Sequence, residues 1–513
     1  MQIYDLAFIG SGLSSSATLY HLLSGLQKNN NTQDVIKIAV IEKHHEFWKG
    51  IPYGSRSSVH SMTINPVKDF LEDAEKPVFI NWVKKIQAAN WPGVSETQRT
   101  VLNKWFERTV NKDIPVDTIY LPRFLYGLYL SQKLESIIAD CNAKNIIKLD
   151  LITGEAIGVD KNDKSYIISI DKGDEQLTIA TKTMILATGS LDTRYINTQD
   201  DDKHLCINDI YYPALEQNFE TIINQLKSLP AEKRKVLVIG SNASASEIIH
   251  LLGKYRNVDD KIVNKITVLS NSGRLPELLH VHHDDYGHLM HSLNALAETG
   301  QPTADELIDA IEKDVAAAMA NNYTMGQIYY SLGDRAVKLQ QMLSPDEQLK
   351  FFNEHGWTLT RITRRTSEDY HFTEQDLIKD NLLEFIKGRF VELTAGDRGD
   401  LPLLINPKIR PESILYTEVF PVVINCIGAE DITTTASSLI KSLFNNGICR
   451  INHNGMGIAV NEDFMANEGC YIIGPLLAGI YNSKYKFWHL ENAKRLNSLG
   501  ATLANTLVAK VAG

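Results

Sequence analysis

Tyr4-Asp5-Leu6-Ala7-Phe8-Ile9-Gly10-Ser11-Gly12-Leu13-Ser14-Ser15-Ser16-Ala17 begins as an apolar run that stops at two glycines one residue apart. Beyond them Leu13, Ala17, Tyr20 and Leu23 recur at helical spacing, so the stretch reads as strand, tight turn and helix. This is how a dinucleotide-binding unit starts. Gly10 supplies the turn, Gly12 has no side chain to hold a pyrophosphate away, and the small Ser15 stands where a third glycine usually lets helix and strand approach. Ser11, Leu13 and Ser14 complete the candidate cofactor-binding set, where the helix N-terminus offers free amide groups and positive dipole potential to phosphates.

Working outward, Val35 to Ile41 forms a second apolar strand and ends in Glu42-Lys43. A carboxylate there can accept both hydroxyls of an adenosine ribose. The gap from the glycines exceeds the usual ~20 residues because the polar stretch Gln27 to Asp34 lengthens the helix-to-strand loop.

The same device recurs at Lys235-Val236-Leu237-Val238-Ile239-Gly240-Ser241-Asn242-Ala243-Ser244, with Asn242 in place of the middle glycine. Its next strand, Ile266 to Leu269, is followed by Ser270-Asn271-Ser272-Gly273-Arg274, with no acid at its end. Hydroxyl, amide and guanidinium groups suit a 2′-phosphate where an acid suits a free ribose hydroxyl, so this second unit is expected to prefer NADPH, with Ser270 and Arg274 as contacts.

Composition sets the outer bounds. A chain of 513 residues exceeds one ordinary core. A net charge of -10 with scattered basic groups argues against nucleic acid or an anionic membrane as the main partner. Neither a cationic leader nor an apolar run of about 20 residues is present, and five cysteines without close pairing suit a reducing compartment, so a cytoplasmic location is expected. The lack of a CxxC pair also disfavours disulfide-reductase chemistry.

Between the two glycine turns, Lys49-Gly50-Ile51-Pro52-Tyr53-Gly54 and Met62-Thr63-Ile64-Asn65-Pro66 read as irregular backbone. Helices are predicted over about 78–89 and 121–141. The second carries Arg123 in its first turn, poorly placed for the helix dipole and so expected to face an anion. Strands are predicted around 149–153, 165–170 and 177–180, then at Met184 to Leu186 before Ala187-Thr188-Gly189, whose small residues let the backbone pass close under a cofactor. Thr303-Ala304-Asp305-Glu306 and Ser344-Pro345-Asp346-Glu347 are capping boxes of a helical insertion. There Leu307, Ile311, Val315 and Met319 form a core stripe and Gly356 is expected to end a helix. Phe385 to Leu393 and Val419 to Ile427 read as strands, the latter leading to Gly428. The last segment runs through a strand at Tyr471 to Ile473 into Gly474-Pro475 and a helix from about His489 to Leu507. Pro475 has neither carboxylate nor N–H, so backbone groups or another residue must serve the cofactor there.

The expected fold is α/β, with two Rossmann-like dinucleotide-binding domains and a helical insertion. A first domain spans 1–225, a second spans 230–430 with the insertion at about 285–380, and 431–513 returns to the first. His280, His282, His283, Asp284, Asp285, His288 and His291 carry metal-ligand atoms, but they follow the second turn where a hinge is expected, and no metal site is assigned.

In order along the chain, Gly10-Ser11-Gly12, Gly50 to Gly54, Asn65-Pro66, Pro122-Arg123 through Gly127 with Tyr129-Leu130, Ala187-Thr188-Gly189, the second glycine-type turn, Trp357 with Arg361, and Gly474-Pro475 give the chain its resemblance. It resembles the FAD/NAD(P)-binding flavoproteins related to amino-acid N-monooxygenases. The resemblance implies FAD at the first turn and NADPH at the second. It also implies hydride transfer to the flavin and passage of one oxygen from a hydroperoxyflavin to the nitrogen of a small amine or amino acid. Asn65 and Tyr53 are then the candidates beside the flavin ring, and Arg361, Arg364 and Arg365 those for a substrate carboxylate. An NADPH-dependent flavin reductase or oxidase, and a non-catalytic binding protein on the same scaffold, are the alternatives.

Overall fold

The computed structural model describes residues 2–28, 34–196, 205–255, 262–279, 284–393, 402–406 and 414–512. The acidic run around 200 and the histidines at 280, 282 and 283 lie outside these residues.

The first sheet is built on the opening stretch. Strand β1 (Ile3–Ile9) is followed by helix α1 (Leu13–Lys28) and strand β2 (Ile36–Glu42), and β1 and β2 pair in parallel. Helix α2 (Arg123–Ala143) leads into β3 (Ile147–Thr153), parallel to β2. Strands β4 (Glu155–Lys161), β5 (Tyr166–Asp171) and β6 (Gln176–Leu186) run antiparallel to one another, and β6 returns beside β1. The two strands expected at 177–180 and 184–186 are one. Buried Thr181 and Thr183 flank exposed Lys182, an alternation that keeps the chain extended. Cys470–Ile472 closes the other side of β6, so the C-terminal segment completes the first sheet. The last helix, Ala493–Ala512, packs along α1, where Gly500 and Gly25 let the helices close onto Ala17 and Val508.

The second sheet is all parallel. Strand β7 (Leu205–Ile207) is an edge; β8 (Lys235–Ile239), helix α3 (Ala243–Tyr255) and β9 (Lys265–Ser270) repeat the opening device; helix α4 (Glu368–Lys379) precedes β10 (Leu383–Lys387); and β11 (Val422–Asn425) lies between β7 and β8. Phe385 to Leu393, expected as one strand, divides at Gly388. Leu383–Lys387 stays on the parallel sheet, whereas Arg389–Leu393 leaves for a separate antiparallel sheet. Two chain crossings join the units, and they lie side by side: Arg194 N–H donates to Gly428 O at 3.0 Å and Glu430 N–H to Asp192 O at 2.8 Å. The first crossing therefore comes before Leu205, not at the expected 225: β7 pairs with β11, and Ile210, Leu215, Phe219 and Ile222 pack into the core of the second sheet, so 205–225 belongs to the second unit.

The insertion is helical. Helices at Ala304–Ala320 and Met325–Met342 bury Leu307, Ile311, Val315, Ile328, Leu332 and Leu339 in a core of their own. Both Thr303 and Thr324 form complete capping boxes. Ser344 accepts the amide of Glu347, but the Glu347 carboxylate goes to the amide of Ala304 and ties two helices together. Met319 leaves the expected stripe and is exposed. Gly356 does not end its helix; the chain stays helical through Ile362, and a side chain at 356 would run into the indole of Trp488.

Candidate functional site

Both glycine turns sit on the same local geometry. Gly10 has φ +95° and donates to Ile41 O at 2.8 Å, while Ala187 donates to Ile9 O at 2.8 Å. In the second sheet Gly240 has φ +111° and donates to Leu269 O at 2.9 Å, while Cys426 donates to Ile239 O at 2.7 Å. In each unit the strand beside the turn ends in a glycine at positive φ two residues on, Gly189 at +83° and Gly428 at +102°. Ser16 N–H to Gly12 O and Ser246 N–H to Asn242 O then open the two helices. One construction is thus built twice.

At the first turn, the amides of Gly12, Leu13, Ser14 and Ser15 precede the first intrahelical bond and so have no acceptor within α1. A Cβ on Gly12 would lie 3.6 Å from Gly50 Cα, and Gly474 closes against Ser14 from the C-terminal side. The Ser15 hydroxyl is buried and makes no hydrogen bond among the described residues. Glu42 reaches this turn directly. Its Oε2 accepts Ser11 N–H at 2.9 Å and Ser11 Oγ–H at 2.6 Å, while Oε1 accepts His44 N–H at 3.1 Å. A glycine-lined gap, free amides and a strand-end carboxylate together fit a dinucleotide. Lys43 lies apart, paired on the surface with Glu155 at 2.9 Å.

At the second turn, Ser241 Oγ and Ser270 Oγ each lie 3.2 Å from Ser272 Oγ, and Ser270 Oγ accepts Gly273 N–H at 3.0 Å. Arg274 is held loosely, with Nη1 at 3.5 Å from Glu277 and 3.0 Å from Met319 Sδ. Through Met319 the insertion touches this loop. Ala243 and Ser244 begin α3, and Asn242 projects toward Gly428.

The FAD-NAD(P)-binding family profile matches residues 7–191. An uncharacterised protein of Mycobacterium bovis is 30% identical over 514 residues, covering 99% of this chain and 96% of its own, and one of Mycobacterium tuberculosis matches to the same extent. The chain belongs to the FAD/NAD(P)-binding flavoprotein family. The flavoprotein also shares its fold with solved enzymes over their whole length. An ornithine N-hydroxylase of Kutzneria sp. 744 matches with a TM-score of 0.54 at 12% identity, covering 99% of each chain. An FAD-bound cadaverine monooxygenase of Erwinia amylovora matches with a TM-score of 0.59 at 10% identity, covering 100% of this chain and 96% of that one.

Several expected site residues of the flavoprotein meet other partners. Arg123 does face an anion, but it is a protein carboxylate: Nη1 lies 2.9 Å from Glu247 of the second unit, and Nε donates to Met62 O at 2.9 Å. Burial opposes its charge, and Glu247 together with Tyr370, Tyr211 and Tyr53 more than offsets this, raising the pKa. Arg123 is thus committed within the protein. Tyr53 is buried in an aromatic cluster, edge-on to Phe70 and Tyr126 at 6.1 and 5.1 Å, and burial pushes its hydroxyl up to about 12. Asn65, twelve residues on, is partly exposed just before the short helix Val67–Phe70.

The three arginines separate. Arg365 lies between Asp69 at 2.6 Å and the Tyr329 hydroxyl, and so ties the insertion to the first unit. Arg361 bonds Thr358, and Arg364 is half-buried, its pKa lowered by burial. Among the described residues neither has a salt-bridge partner. Of the histidine-aspartate cluster, Asp285 is engaged with Gly287 N–H and Ser331.

Sequence reading missed Glu247, Tyr211, Ser57 and Ser61. Glu247 was the visible signal: an acid among Ile248, Ile249, Leu251 and Leu252 on a buried helix needs buried donors.

Proposed function

We propose that this flavoprotein is an NADPH-dependent monooxygenase that N-hydroxylates a small amine or amino acid. The observation that carries the reading is the duplicated turn, which offers two dinucleotide cradles in one chain under a helical insertion that touches both units. FAD bound at the first cradle would supply hydride acceptance from NADPH and activation of O₂.

The chain's own part is binding, orientation and exclusion of water. Gly10 and Gly12 give the pyrophosphate access, Glu42 takes the adenosine ribose, and the α1 amides face the phosphates. Glu42 must exchange one Ser11 bond for a ribose hydroxyl, which replaces one hydrogen bond with another. Ser241, Ser270 and Arg274 hold the NADPH end. Asn65 is the side chain we place toward the flavin ring. Arg364 and Arg361 remain the candidates for a substrate carboxylate, whereas Arg365 holds the insertion in place. An ammonium has no lone pair to attack with, so the pocket must keep the amine neutral, and removal from water lowers an amine pKa in that sense. Lack of a CxxC pair speaks against a disulfide substrate.

The test incubates yellow holoprotein with NADPH, ¹⁸O₂ and a panel of amines, and reads products by mass spectrometry. Labelled hydroxylamine is expected. NADPH consumption that yields only hydrogen peroxide across the panel would move the reading to an oxidase.

A further inference from the structure

Glu247 is wholly enclosed, with 0% of its surface exposed, yet it carries a carboxylate. Its donors come from three separate parts of the chain. Arg123 Nη1 at 2.9 Å and the Tyr211 hydroxyl at 2.8 Å reach Oε2, and the hydroxyls of Ser61 and, at 3.5 Å, Ser57 reach Oε1. Taking a carboxylate out of water is costly, and an apolar side chain of similar volume would often be as stable, so such a buried pair is better evidence for fixed geometry than for stability.

Its position gives that geometry a use. Glu247 lies five residues after Asn242, on the helix whose first turn faces the second dinucleotide cradle. Its partners Ser57, Ser61 and Arg123 belong to the first unit. The segment they hold is gripped from the second unit throughout: Arg56 Nε donates to Tyr211 O at 2.9 Å, Ser58 Oγ to Glu216 at 2.6 Å, and Met62 N–H to the Tyr370 hydroxyl of α4 at 2.8 Å. Three residues beyond Met62 is Asn65. One buried carboxylate thus stands between the helix behind one cradle and the loop that leads to the other.

We propose that Glu247 is a positioning residue that couples the two nucleotide sites, holding α3 of the second unit in register with segment 57–66 of the first, so that the nicotinamide end and the flavin end meet at one fixed orientation. This rests on the two-cofactor reading above. It assigns Glu247 no contact with either cofactor, and a coupling of this kind requires only that both sites bias one shared element.

Hydrogen exchange of the FAD-loaded protein, with and without NADP⁺, tests it. In the wild type NADP⁺ should slow exchange both in 240–255 and in 57–66. In Glu247→Gln the slowing at 240–255 should persist and that at 57–66 should be lost. Anaerobic flavin bleaching by NADPH should then fall roughly two- to thirtyfold while the NADP⁺ Kd moves less than about threefold. A Glu247→Gln protein that keeps both the response at 57–66 and the bleaching rate overturns the proposal. Should Glu247→Gln fail to fold, Tyr211→Phe removes one donor and leaves the ion pair. It should weaken the 57–66 response in the same direction, and an unchanged response there overturns the proposal equally. NADP⁺ binding to the wild type without any response at 57–66 overturns the coupling alone, whereas no NADP⁺ binding at all overturns the functional reading with it.

Discussion

A side chain on Gly10 would put its Cβ 2.4 Å from the carbonyl oxygen of Ala187. That contact, with φ at +95°, makes glycine obligatory at the strand end before any cofactor is considered. Gly240 repeats it against Cys426 O at 2.2 Å. Left-handed strain and overpacking together should cost about 2–4 kcal/mol for alanine at either position. The two variants should nonetheless differ in function. Gly10→Ala should lose flavin, while Gly240→Ala should purify yellow yet fail to be reduced by NADPH. Absorbance at 450 nm before and after anaerobic NADPH separates them, and a colourless Gly240→Ala protein would contradict the division of cofactors.

Gly12 is a different case, because a Cβ there meets only Gly50 Cα at 3.6 Å, an ordinary contact. The fold should accept Gly12→Ala within about 0.5 kcal/mol, as at other uncrowded positions. Gly12→Val puts a branched side chain where the pyrophosphate belongs and should strip the yellow colour. Full flavin occupancy in a folded Gly12→Val protein would remove the first cradle from consideration.

The contrast between Gly10 and Arg123 explains what could be read from the sequence. A strand, a glycine turn and a helix are fixed by residues within a dozen positions of one another, so both turns, Glu42 and the Thr303 capping box were legible, whereas the box expected at Ser344 stays open because Glu347 turns to Ala304 N–H. Arg123 was legible as a charge needing an anion, but its partner Glu247 lies 124 residues away. Arg365 and Asp69 are 296 residues apart, so the sequence offers a basic cluster and only the fold reveals a strut. Tyr53 likewise reads as a ring-side hydroxyl until Phe70 and Tyr126 enclose it. Gly356 was misread for a related reason: a glycine marks a special backbone or a close neighbour, and local pattern alone does not say that here it makes room for Trp488.

Arg274 should set the cofactor preference. Its ion pair with Glu277 is long at 3.5 Å, so the guanidinium gives up little on turning to a phosphate. A charge-assisted contact of about 1.5–3 kcal/mol corresponds to roughly ten- to hundredfold in affinity. Arg274→Ala should therefore lower kcat/KM for NADPH by that factor and leave NADH nearly unchanged. Equal loss with both nucleotides would count against a 2′-phosphate role.

His250 makes acid stability a local matter. Its Nδ1 lies 2.7 Å from Thr373 Oγ1, whose own proton goes to Asp369 O at 2.9 Å, so Nδ1 carries the hydrogen and donates. Its Nε2 is buried and makes no hydrogen bond among the described residues. Burial, with Lys254 adding to it, lowers the imidazole pKa to about 3. An unfolded chain takes up this proton near pH 6.5 and the folded one does not, so stability is fully present above about pH 6.5 and declines as pH falls toward about 3. Between pH 7 and pH 5 this one group should account for a loss of about 2 kcal/mol. His250→Phe keeps the ring against Tyr370 and removes the titration, at the expense of the Thr373 bond. Urea midpoints at the two pH values should then differ less in the variant by that amount, and the same difference in variant and wild type would show that His250 is not what the fold holds neutral.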